Sequence, residues 1–100
     1  MAVIYHISTK PEWAAAQEAG MYTTPSLKDE GFIHCSATDE QVNGVLTRYF
    51  AGKTDLLKLV IDTDKLDSSF VYEWSPSTED TFPHIYGPVN LDAVIEITAI

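Results

Sequence analysis

The sequence predicts one small α+β domain, with two N-terminal helices packed on a sheet or split sheet. Three observations predict it. The first is the order of patterned segments: strand, helix, strand, helix, then several strands, with no repeat and no low-complexity tract. The second is a pair of helix starts of the capping-box kind, Thr9 with Glu12 and Thr38 with Gln41. The third is composition. Of 100 residues, 45% are hydrophobic and 21% charged, which suits a globular chain with one modest core. Residues 1–100 are therefore read as a single domain.

Residues 3–7 alternate as a first strand, with Val3, Tyr5 and Ile7 on one face and Ile4 and His6 on the other. Thr9 and Glu12 then cap a helix, and Pro11 is tolerated in its first turn. Alanine-rich residues 13–19 continue it, Trp13 is its expected packing anchor beside Ala16 and Gln17, and Gly20 stops it. Residues 21–27 have no helical period, and Pro25 disfavours a central strand, so they are expected to connect. Residues 31–36, Gly-Phe-Ile-His-Cys-Ser, read as the short central strand. Phe32, His34 and Ser36 share one face, Ile33 and Cys35 the other. A face that carries polar groups in an apolar run needs internal partners or a ligand.

The second helix starts at Thr38, with Asp39 and Glu40 at the positive end of its dipole. Val42, Val45, Leu46, Tyr49 and Phe50 form its core stripe, and Gly52 ends it. Residues 56–62 are an apolar strand, 62–67 a turn, and 70–74 another strand. Residues 75–82 read as an exposed, mobile polar loop, and 83–88 as an extended segment bracketed by prolines. After a turn at 90–92, a last strand covers 94–98, with Val94, Glu96 and Thr98 opposite Ile95 and Ile97.

Charge narrows the function classes. Fifteen acids against six bases give a formal net charge of −9, and Arg48 is the sole arginine. Nucleic-acid binding rests on neutralising phosphates with Lys and Arg, so nucleic acid is not an expected partner. Anionic membrane surfaces are disfavoured for the same reason. A lone Cys35 cannot form an internal disulfide. No apolar run approaches the roughly 20 residues of a membrane span. The first six residues, Met-Ala-Val-Ile-Tyr-His, lack a signal peptide's basic start, so a cytoplasmic location is expected.

All three histidines, His6, His34 and His84, sit in apolar strand-like runs, each followed two residues on by a hydroxyl side chain: Ser8, Ser36 and Tyr86. Repetition of that pattern points to a shared polar pocket; the alternative for each is a buried, hydrogen-bonded imidazole. No close ligand pair such as His-x-x-x-His is present, so no metal is expected, although a three-histidine hydrolase remains a rival reading. Adjacent strand residues project to opposite faces, so His34 is not placed to activate Cys35, which reads as a small buried hydrophobe. Glu73 and Glu96 are the strand carboxylates, and Trp74 and Tyr86 are candidate aromatic walls for a planar ring.

The blocks Ile4-Tyr5-His6-Ile7, Glu30-Gly31-Phe32-Ile33-His34-Cys35-Ser36 and Phe82-Pro83-His84-Ile85-Tyr86-Gly87-Pro88 carry a resemblance, with Trp13, Ala16, Gly20, Gln41, Phe50-Ala51-Gly52 and Leu91-Asp92-Ala93-Val94 between and after them. Together they resemble the short bacterial proteins of domain-of-unknown-function family 952 over nearly the whole chain. That resemblance implies an ADP-ribosyltransferase-like fold, a split and mostly antiparallel sheet around a cleft that holds NAD in active members. It further implies His6 and His34 at the strand positions that contact ribose and nicotinamide. The pair is also similar to the paired histidines of the RNA 2′-phosphotransferase branch. That branch needs arginines for phosphate, and this chain offers only Arg48.

The expectation is a histidine-lined pocket for NAD, ADP-ribose or a related nucleotide, acting at C1′ of the nicotinamide ribose. His6 and His34 would contact ribose or pyrophosphate. Glu73 or Glu96 would stabilise an oxocarbenium-like transition state. Ser8, Ser36, Trp74, His84 and Tyr86 would complete the ligand site. The rivals are a non-catalytic binding module on the same scaffold and the metal-dependent hydrolase.

Overall fold

The computed structural model describes residues 2–100, which form eight strands and three α-helices. β1 (Val3–Thr9) lies antiparallel to β4 (Leu56–Asp62). β4 pairs on its other edge with β8 (Val94–Ala99), giving the order β1–β4–β8. A second antiparallel sheet has the order β3–β6–β5, from β3 (Ile33–His34), β6 (Asp80–Ile85) and β5 (Phe70–Ser75). The two sheets meet where Tyr5 and Ser36 exchange backbone N–H···O bonds of 2.7 Å each. β2 (Met21–Tyr22) and β7 (Val89–Asn90) form a small third pair.

The helices start where their caps sit. Before α1 (Lys10–Ala19), the Thr9 hydroxyl accepts the Glu12 N–H while the Glu12 carboxylate accepts the Thr9 N–H, both at 3.2 Å. Gly20 closes α1 at φ 84°, a backbone setting that only glycine adopts without strain. Before α3 (Asp39–Tyr49), the Thr38 hydroxyl accepts the Gln41 N–H at 3.1 Å. Only half of that expected box forms, because the Gln41 side chain is used elsewhere. Its Oε1 accepts the Ala37 N–H at 2.7 Å, and its Nε2 donates to the Asp80 carboxylate and the Thr81 carbonyl at 2.9 Å. Gln41 thus ties the first turn of α3 to β6.

β1 is covered on both faces. Ile4 joins Leu59, Ile61, Tyr22, Ile33, Ile85 and Val89 in the main core, against which Trp13 of α1 packs. On the other face Ile7 meets Val42 and Leu56 in a second cluster, closed by Tyr5, Val45, Leu46 and Phe50. The alternation expected for residues 3–7 is therefore present, but both faces are interior.

Four expectations are corrected. A third helix, α2 (Pro25–Asp29), replaces the connecting segment, so two N-terminal helices become three. Thr24 caps α2 and Pro25 sits in its first turn, but five residues are too few to show a helical period. Residues 75–82 are not a loop: Ser75 pairs with Asp80 at the end of a β5–β6 hairpin, and only residues 76–79 turn. The central strand is shorter than residues 31–36, with Ser36 making the bridge to β1. Tyr49 leaves the α3 stripe and is exposed. No described helix is long and apolar enough to cross a membrane.

Candidate functional site

Strand pairing assembles the site. His34 on β3 lies directly opposite His84 on β6, and His84 lies opposite Val71 on β5. Directly paired residues share a face, and so does Glu73, two residues beyond Val71. Phe32 precedes His34 by two residues and Tyr86 follows His84 by two, so their rings reach the same side. Phe32 stacks on His84 with centroids 4.2 Å apart and planes 19° from parallel. The His34 ring stands edge-on to both, at 4.8 Å from Phe32 and 5.3 Å from His84. Tyr86 is tilted against Phe32 at 5.5 Å.

Glu73 anchors this aromatic face. Its Oε1 accepts the Tyr86 hydroxyl and also the Nδ1–H of His84, the latter at 2.8 Å. The Tyr86 bond first, and the His84 bond second, hold the Glu73 carboxyl below the ordinary carboxylate range. The same bond raises the Tyr86 phenol above its ordinary value. Glu73 is thus an ionised, oriented carboxylate beside four rings. A second carboxylate, Glu30, accepts from His34 Nε2 at 3.0 Å. The His34 side chain is 55% exposed, whereas that of His84 is largely covered.

His6 is not part of this face. It lies in the core, and both ring nitrogens are engaged. A carbonyl can only accept, so Nδ1–H donates to the His34 carbonyl at 2.6 Å, and Nε2 accepts the Tyr22 hydroxyl at 2.8 Å. Burial, the largest influence, lowers the His6 pKa below its ordinary value and outweighs the bond to His34. Burial also raises the phenol of Tyr22. The expected three-histidine pocket is therefore divided: His34 and His84 meet on an outer face, while His6 braces the β3 backbone from behind.

Other expected site residues are dispersed. Ser8 is fully buried and its hydroxyl donates to the Thr9 carbonyl at 3.0 Å. Ser36 is buried at the bridge between the sheets. Trp74 is 61% exposed but adjoins Glu73 in β5, so it projects from the opposite face. Glu96 pairs with Val60, which pairs with Tyr5, placing it in the other sheet on the face away from His6. The structure brings together His34, Glu73, His84 and Tyr86, and adds Phe32 and Glu30, which the residue patterns did not single out. Phe32 was signalled by its alternation with His34; the register that delivers Glu73 to His84 was not visible in sequence.

The face is open. Two concavities lie elsewhere, one of about 200 Å³ that includes Gln41, Arg48 and Asp80, and one of about 670 Å³ between α1 and α2. Among the described residues, no three His, Cys, Asp or Glu side chains converge to hold a metal ion. Cys35 is buried behind the face, and burial pushes its thiol pKa up. Cys35 is expected to react with an aromatic disulfide reagent at least about a hundredfold more slowly in the native protein than in denaturant. Fast stoichiometric labelling of the native protein would contradict this placement.

Comparison with known proteins agrees with the architecture. The crystal structure of protein CC0527 from Caulobacter crescentus superposes with a TM-score of 0.87 at 29% identity, covering 98% of this chain and 85% of that one. Its solution NMR structure gives a TM-score of 0.82 at 29% identity over 100% of this chain and 85% of that one. No curated protein matches the sequence. Residues 7–97 match the family described as protein of unknown function DUF952. With most of its length inside that match, the chain belongs to the DUF952 family.

Proposed function

We propose that the face formed by Phe32, His34, Glu73, His84 and Tyr86 binds NAD or a related nucleotide such as ADP-ribose, within an ADP-ribosyltransferase-like scaffold. The observation that carries this reading is Glu73, fixed by Tyr86 and His84 beside four rings. Rings stack on a planar base, and an ionised carboxylate stabilises the positive charge that develops at a ribose C1′ when its nitrogen base departs. Two antiparallel sheets joined through a single bridge support the scaffold reading. Glu73 takes the carboxylate role, and His34 and His84 supply hydrogen bonds to ribose hydroxyls. His6 acts through the backbone of His34 instead of touching the ligand.

One observation favours binding without turnover. Among the described residues, no lysine or arginine pairs with Glu30 or Glu73 or stacks on these rings; the ion pairs of Lys10 and Lys58 and the ring contacts of Arg48 and Lys58 lie elsewhere. Titrating labelled protein with NAD is expected to shift the amides of Phe32, His34, Glu73, His84 and Tyr86, and Glu73→Ala is expected to weaken binding about tenfold or more. An unperturbed amide spectrum at millimolar NAD would overturn the nucleotide reading. Release of nicotinamide in the same sample would separate an enzyme from a binding module.

A further inference from the structure

We infer that the face selects a planar organic cation: of a nicotinamide nucleotide it takes the positively charged N-ribosyl pyridinium half and does not hold the pyrophosphate. This rests on the nucleotide reading above and narrows its ligand class. Three observations carry it. Both bonds to Glu73 end on Oε1, so among the described residues Oε2 has no hydrogen-bond partner and remains an open acceptor. Glu30 adds a second carboxylate at the far edge, against His34. Tyr86 and His34, whose rings neighbour the Phe32–His84 stack, are both partly exposed.

The negative faces of aromatic rings attract a flat cation, and an open carboxylate oxygen attracts its charge or its hydroxyl and amide hydrogens. A pyrophosphate would meet the reverse conditions. It would come close to two carboxylates, with neither a lysine nor an arginine paired there among the described residues, on a chain of net charge −9. The measurement is made at about pH 8, well above the ordinary carboxylate range.

The test compares three probes by amide NMR titration in about 0.15 M salt: nicotinamide riboside, its reduced and uncharged dihydro form, and ADP-ribose. The cation is expected to bind at least about tenfold more tightly than either other probe, and Glu73→Gln is expected to cut that preference to about twofold. The amide spectrum of the variant reports whether it is folded. Equal affinity for the cationic and dihydro forms, or tighter binding of ADP-ribose, would overturn the charge selection and leave the nucleotide reading standing. A spectrum unchanged by all three probes and by NAD would end both.

Discussion

His6→Ala is expected to cost about 4 kcal/mol of folding stability, while His34→Ala stays within about 0.5 kcal/mol. Two terms add at position 6. A large buried ring is replaced by a methyl group, leaving a cavity beside Tyr22. Two interior groups, the His34 carbonyl and the Tyr22 hydroxyl, also lose their hydrogen bond to the ring. The His34 ring has no such obligations, because it is half in water and its bond is to an exposed glutamate. Against roughly 5–15 kcal/mol for a domain of this size, the loss at His6 is large. Chemical denaturation of both variants checks it. Equal midpoints for His6→Ala and the parent would mean that His6 is not the brace described above.

Stability is expected to fall as pH drops below the ordinary imidazole value of about 6.5, by up to about 1.4 kcal/mol per pH unit until the folded-state pKa of His6 is reached. The sign follows from the direction of the shift. His6 is held neutral in the folded chain by burial, so its folded pKa lies below the unfolded one. In that window the unfolded chain binds the extra proton, and acid draws the equilibrium toward it. The neighbouring influences are smaller: the His34 carbonyl bond and Glu12 raise the pKa, and the His34 ring lowers it. Glu73 and Asp80, whose pKa values are also depressed, add a loss only in the carboxylate range at lower pH. Relief of the net negative charge works the other way, but between exposed groups it is screened at about 0.15 M salt. His6→Gln keeps a donor and an acceptor without a titrating ring. Its unfolding free energy is expected to change little between about pH 7 and pH 5, and a slope equal to the parent's would assign the acid limb to other groups.

The contrast between His6 and His34 marks where the sequence stops being readable. Capping residues act within a few positions of themselves, so Thr9 with Glu12 and Thr38 mark both long helices from local sequence alone. The apolar runs at β1, β4 and α3 announced the core for the same local reason. What alternation cannot report is how many layers cover a strand. His6 and His34 stand in similar apolar runs, yet β1 is sandwiched between two clusters while β3 has one face open. Glu73 is the opposite case. Nothing within its own segment distinguishes it from Glu96, and only the register of the β5–β6 hairpin brings it to His84. The hairpin itself was hidden, because the polar stretch containing Ser75, Asp80 and Thr81 reads as loop until its partners across the turn are known.

His34 carries its ring on the surface while its carbonyl is gripped from inside by His6. Its peptide is further pinned by the bridge two residues later at Ser36 and by the Cys35 N–H donated to the Pro83 carbonyl at 3.0 Å. The backbone freedom at this position is therefore surrendered when the chain folds, not when a ligand arrives. Association with the face then carries little further ordering penalty from its scaffold, and discrimination between ligands falls to the few torsions of the exposed side chains. Loosening the interior at His6 would return that entropy to the face, so it would weaken recognition without removing a single contacting atom.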